Sequence, residues 1–157
     1  MRMSEGVEWA LHCCLTLAWL DGETVPTATL AAAFEVPPHY LNKFLQALVR
    51  TNILTSTAGV KGGFRLARPA TKISVLDVVD AVEGPEEAFR CTEIRQRGPG
   101  KTANAKDFVR PCGIAAVMAR ANVAWRKELA RTTIADLARE AGNGAERTRC
   151  WHAARAR

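Results

Sequence analysis

The stretch that most constrains this chain is "TATLAAAFEVPPHYLNKFLQALVRTNILTSTAGVKGGFRLAR", residues 27–68. An Ala-rich segment from about Thr27 to Phe34 predicts a short helix, and Pro38 opens a second one at its first position. In the second helix Leu41, Phe44, Leu45 and Leu48 form one apolar stripe, leaving His39, Tyr40, Lys43, Gln46, Ala47 and Arg50 facing outward. Two strand-like runs follow, Ile53 to Ser56 and Phe64 to Ala67, joined by the glycine-containing tip "TAGVKGG". Two short helices, a tight turn and a β-hairpin make a helix-turn-helix followed by a wing. The expected fold class is therefore mainly α with a small β wing.

Charge is concentrated in the same stretch. From Val36 to Leu76 there are six basic residues (Lys43, Arg50, Lys61, Arg65, Arg68 and Lys72) and no acidic one. The whole chain carries 22 Lys and Arg against 16 Asp and Glu, so its net charge of +6 is the charge of that segment. Such segregation points to a nucleic-acid partner, double-stranded DNA for a helix-turn-helix. The expected contacts are His39, Tyr40, Lys43, Gln46 and Arg50 on the second helix. Lys61, Gly62, Gly63 and Arg65 join them on the wing, where glycines let backbone approach phosphates.

The remaining periodicity is helical. Val7, Ala10, Leu11, Cys14, Leu15 and Ala18 define a first helix, with Glu8 and His12 four residues apart on its other side. "SVLD" opens a capped helix that Gly84–Pro85 stops, and "TTIAD" opens another that Gly142 stops. Between them Ile114, Val117, Met118, Ala121 and Trp125 mark a long helix from about Gly113 to Arg131, suited to pairing with a second copy. Trp9, Trp19 and Trp125 are expected to pack rather than to stack on bases. The expected organisation is a DNA-binding domain over 1–84, a loop over 85–112, dimerisation and final helices over 113–141, and a flexible tail over 142–157.

No run has the length of a membrane span, and the N-terminus lacks a signal-peptide layout, so a cytoplasmic protein is expected. Five cysteines in a reducing compartment argue against a disulfide framework. Cys14 lies on the apolar stripe and reads as core. Cys13 points about 100° away from it and is a weaker ligand candidate. Cys150 has no evident partner. Cys91 and Cys112 bracket a polar, basic loop that can bury little.

The run "YLNKFLQALVRTNILTSTAGVKGGFRLARPATKISVLDVVDAVEG" resembles the signature region of the Rrf-type bacterial regulators, and the similarity extends over about residues 1–141. These are dimeric winged-helix repressors, among them the iron–sulfur-cluster regulator, the nitric-oxide-sensitive repressor and the rhizobial iron regulator. The resemblance implies a cluster held by three cysteines after "VEG". Here Cys91 corresponds to the first and Cys112 to the last. The middle one is absent, and Asp107 lies near its place. A 2Fe–2S cluster takes four protein ligands, and imidazole can replace cysteine on one iron. In the family the N-terminal helix lies near the partner's cluster loop, which makes His12 the candidate third ligand and Glu8 the fourth, with Asp107 competing for that place.

The expectation is thus a homodimeric, redox-responsive regulator that binds a palindromic operator. It would carry a 2Fe–2S cluster on Cys91 and Cys112 of one chain and Glu8 and His12 of the other. No catalytic triad, P-loop or nucleotide-binding glycine motif suggests an enzyme. One alternative keeps the DNA binding but replaces metal by a reversible Cys91–Cys112 disulfide. Another is an iron–sulfur electron-transfer or carrier protein, against which the wing counts.

Overall fold

The computed structural model describes residues 3–59, 62–87 and 89–155. Seven α-helices and one hairpin follow in order among them. They are α1 (Glu5–Trp19), α2 (Thr27–Ala33), α3 (Pro38–Arg50), β1 (Leu54–Thr57), β2 (Gly63–Leu66), α4 (Val75–Glu83), α5 (Gly113–Arg131), α6 (Ile134–Glu140) and α7 (Gly144–Arg155). The chain divides into two compact units, one of Glu86–Glu128, the other of the chain up to Pro85 together with Leu129 onward.

The larger unit is built around α1, which packs against α3, α4, α6 and α7. Its core holds Ala10, Cys13, Cys14 and Leu17 of α1, Leu30 of α2, Leu41, Leu45 and Leu48 of α3, and Ile53, Phe64, Val78 and Ile134. Each fully buried Leu or Ile side chain contributes about 1.5–3 kcal/mol of hydrophobic stabilisation. Gly6 brings α1 close to α3: a Cβ there would lie 2.2 Å from the Phe44 ring. Trp9 meets that ring edge-on, centroids 5.8 Å apart.

Local signals set the helix ends. Ser74 and Asp77 form a reciprocal capping box at α4, and Thr133 with Asp136 forms one at α6. A bridge then closes the unit, with Val75 N–H donating to Thr132 O at 2.9 Å and Ile134 N–H to Ile73 O at 2.8 Å. The hairpin has the expected register, Ser56 opposite Phe64, although its strands lie one residue away from the expected bounds. Val25 and Phe64 exchange both backbone bonds at 2.9 Å, which pins the hairpin to the residue leading into α2.

Three expectations need correction. Ala47 does not face outward: it is 8% exposed, since α3 lies between neighbours on more than one side. Residues 144–155 are not a flexible tail but α7, which packs on α1. Its sequence is polar and lacks an apolar stripe, so what holds it is tertiary: Gly144 against Trp19, and His152 Nε2 3.1 Å from Glu23 Oε2. Helix α6 is accordingly not the final one. Among the described residues no helix is long and apolar enough to cross a membrane.

Candidate nucleic-acid interface and candidate metal centre

The inward and outward faces of α3 are sharply divided. Leu41, Leu45 and Leu48 are each 0% exposed. His39, Tyr40, Lys43, Gln46 and Arg50 all lie on the exposed side. Tyr40 is 56% exposed and its ring lies 4.6 Å from that of His39, so it does not pack into the motif. Lys43 runs along Phe44, its Nζ 5.7 Å from the ring centroid, which leaves the ammonium at the surface.

On the hairpin, Arg65 is exposed and sits opposite Thr55. Lys61 lies outside the described residues. The two glycines have a structural cause of their own. A Cβ at Gly63 would lie 2.3 Å from Val25 O, and one at Gly62 would lie 2.3 Å from Thr57 O. Only glycine permits these approaches, so their presence need not reflect a ligand. Arg68 is instead half-buried and paired, 3.3 Å from Asp77, the first acid after the basic segment.

In the smaller unit Cys91 is exposed and Cys112 half-buried, both as free thiols. Cys112 precedes α5, and its Sγ accepts the Ala115 N–H at 3.3 Å. The intervening stretch is neither regular helix nor strand but three 3-10 turns, Ile94–Gln96, Gly98–Thr102 and Ala105–Phe108. Arg95 is central to it: the guanidinium grips the Glu93 carboxylate with two donors, one at 2.8 Å, and donates to Arg110 O at 3.0 Å. The Glu93 bond, with the charges of Glu93, Cys112 and Cys91 added, raises the Arg95 pKa above its ordinary value. Asp107 already has a use, since its carboxylate accepts the Asn104 N–H at 3.0 Å to cap the last turn. Trp125 Nε1 donates to Asn122 Oδ1 at 3.0 Å within α5.

In the larger unit Glu8 and His12 are both exposed, one turn apart, and line an open hollow with Met3, Ser4, Glu5, Val7 and Leu11. The His12 ring lies 5.4 Å from Phe34, which ends α2. Cys13 and Cys14 are both 0% exposed. Burial pushes the Cys13 thiol up to about 12, and pushes Cys14 up as well, with Cys13 beside it adding to the effect. Thiols so placed are inert, which removes Cys13 from the ligand candidates and leaves Cys14 in the core as expected. Cys91 and Cys112 both belong to the smaller unit and Glu8 and His12 to the larger, and no group of three or more metal-ligating side chains occurs among the described residues.

The donor chemistry fits an iron–sulfur cluster. Cys91 and Cys112 would offer soft thiolate ligands, and the N–H aimed at Cys112 is a hydrogen bond that a metal-bound thiolate can accept. Glu8 and His12 would offer oxygen and nitrogen at a spacing that lets two side chains of one helix reach a common point. Sequence reasoning missed the Arg95 grip, the Arg68–Asp77 pair and the seat of α7. None of these follows a helical or strand period, so no pattern announced them.

Comparison with known proteins bears on the family and the fold. Residues 3–140 match Rrf2, described as an iron-dependent transcriptional regulator family. Rv1287 of Mycobacterium tuberculosis, provisionally named an HTH-type transcriptional regulator, is 40% identical over 91 residues, 57% of this chain and 56% of that protein. The chain thus matches little more than half the length of that relative. YffB of Lactococcus lactis, provisionally named in the same way, is 30% identical over 141 residues, 89% of this chain and 88% of that protein. CymR, the global cysteine regulator of B. subtilis, shares the fold with a TM-score of 0.68 at 22% identity, covering 89% of this chain and 98% of that one. T. potens IscR superposes with a TM-score of 0.67 at 18% identity, covering 91% and 90% of the two chains. A helix-turn-helix with a two-stranded wing, matched along nearly its whole length up to the end of α6, places this chain in the Rrf2 family of iron-dependent transcriptional regulators.

Proposed function

We propose that the protein is a homodimeric, DNA-binding transcription regulator, acting as a repressor, that senses redox state through a 2Fe–2S cluster. Cys91 and Cys112 of one copy and Glu8 and His12 of the other hold it. The observation that carries the DNA reading is α3, whose leucine stripe is fully buried while Lys43, Gln46 and Arg50 stand exposed on the opposite side. The helix enters the major groove of a palindromic operator, and Arg65 on the hairpin meets the adjacent backbone. A second copy is supported by α5, which has no buried residue although its apolar side chains recur at helical spacing.

Bound at those four residues, the cluster supplies a one-electron redox centre whose two irons differ in ligand type. The protein supplies the route to the DNA-binding face. Helix α1 carries Glu8 and His12, and its Gly6 and Trp9 seat Phe44 of α3. His12 also lies against Phe34 at the turn of the helix-turn-helix. A shift of α1 therefore reaches α3 through packed rings. Two free thiols on one loop also favour a second reading, a Cys91–Cys112 disulfide switch without metal.

One experiment separates the readings: iron, sulfide and DNA affinity measured together on protein prepared without oxygen. The wild type should carry iron and sulfide, Cys91→Ala and Cys112→Ala should carry neither, and Cys150→Ala should keep both. Arg65→Ala should lower the slope of log affinity against log salt by about one unit. Loop variants that retain full iron and sulfide would exclude the loop as the cluster site. Iron-free wild type that reversibly loses two thiols would favour the disulfide reading, and an unchanged salt slope would remove the wing from the interface.

A further inference from the structure

We propose that Arg95 is the clasp of the cysteine loop: its guanidinium ties the Cys91 end to the Cys112 end. It is a positioning residue, not a ligand. The clasp goes beyond the cluster reading, since it concerns the chain alone and holds with or without a bound cluster.

The geometry is specific. Glu93 stands two residues after Cys91, and Arg110 two residues before Cys112. Arg95 binds both, the Glu93 carboxylate through two donors and the Arg110 carbonyl through Nη2 at 3.0 Å. The guanidinium carbon lies 5.5 Å from the Phe108 ring centroid, so an aromatic face supports the planar group. Glu93 is held in the left-handed region, φ 48°, which a glutamate adopts only when its surroundings enforce it. The backbone also wraps closely about Arg95: a Cβ on Gly100 would stand 1.7 Å from the Arg95 carbonyl oxygen. A polar loop that buries little apolar surface has few other means of fixing its ends.

The side chain must be arginine for this. Its rigid fork offers two parallel donors to a carboxylate and further donors to a carbonyl, whereas lysine is a mobile point charge.

The test uses the full chain, free of metal, in a Cys150→Ala background, equilibrated with reduced and oxidised glutathione. Two thiols pass two electrons and two protons to one oxidised glutathione, which leaves as two reduced molecules, and a Cys91–Cys112 bond forms. The equilibrium constant is the effective concentration of one thiol at the other. Arg95→Ala should lower it about tenfold, with Arg95→Lys and Glu93→Gln between that variant and wild type. An Arg95→Ala chain that equilibrates like wild type, or a wild type that forms no such bond, overturns the clasp. Wild-type protein that binds no iron, together with the tenfold drop in Arg95→Ala, overturns the cluster reading and leaves the clasp standing.

Discussion

Helices α1 and α5 look alike in the sequence and end differently in the fold. Both carry apolar residues at helical spacing. In α1 eight of 15 residues are buried, from Gly6 to Leu17. In α5 none of 19 is buried, and Ile114 and Val123 are 68% and 65% exposed. An apolar stripe therefore states which side of a helix can be covered, but not what covers it. For α1 the cover is the rest of its own unit. For α5 the proposed cover is a second copy, and dimers of this kind bring two recognition helices to successive half-sites.

The comparison can be broken at its strongest point first. Leu45→Ala removes a side chain that is 0% exposed, on the helix seated against α1. It should cost about 2–5 kcal/mol in urea unfolding. A loss well under 1 kcal/mol would mean that this core is looser than its burial indicates.

Thr133→Ala sharpens the same contrast by testing a local signal. Thr133 Oγ1 accepts the Asp136 N–H at 3.1 Å, and Asp136 Oδ2 accepts the Thr133 N–H at 2.9 Å. Loss of this capping box should cost about 1 kcal/mol in the same measurement. No change in the midpoint would show that the bridge at Ile73 and Ile134 alone holds α6.

Val117→Asp probes the other helix and should have the smallest effect on the single chain. Val117 is 53% exposed, so the change should alter the unfolding free energy of dilute protein by less than about 0.5 kcal/mol. Sedimentation equilibrium should show the proposed dimer replaced by monomer, because a charge would enter its apolar interface. A dimer that survives places the interface elsewhere. Marked unfolding of the monomer would show that α5 is covered within its own chain.

The basic segment gives a finer version of the same lesson. Its charge was visible as a total, but the fold assigns the members individually. Lys43, Arg50 and Arg65 are exposed, whereas Arg68 lies 3.3 Å from Asp77. Gly62 and Gly63, expected to favour phosphate approach, are required by backbone within hairpin and bridge. The candidate ligands were legible only in part. Glu8 and His12 fall on the exposed side of α1 as their spacing indicates, and Asp107 turns out to be a cap. Cys13, off the expected stripe, is nonetheless buried because neighbours surround α1 on more than one side.

What the sequence by itself determined is the set of features whose physics is local. The helical period of α1, α3 and α5, the capping residues Ser74 and Thr133, Pro38 at the start of α3 and the hairpin register each depend on residues a few positions apart. What only the tertiary structure decided are pairings between distant or irregular positions. These are Gly6 against Phe44, Gly63 against Val25, α7 held through Trp19 and Glu23, and Arg95 spanning from Glu93 to Arg110. The physical reason is that capping and amphipathic burial repeat with the backbone's own period and so leave a pattern along the chain. A close backbone approach or a guanidinium bridge satisfies one donor or one gap in space, and such a requirement has no period to read.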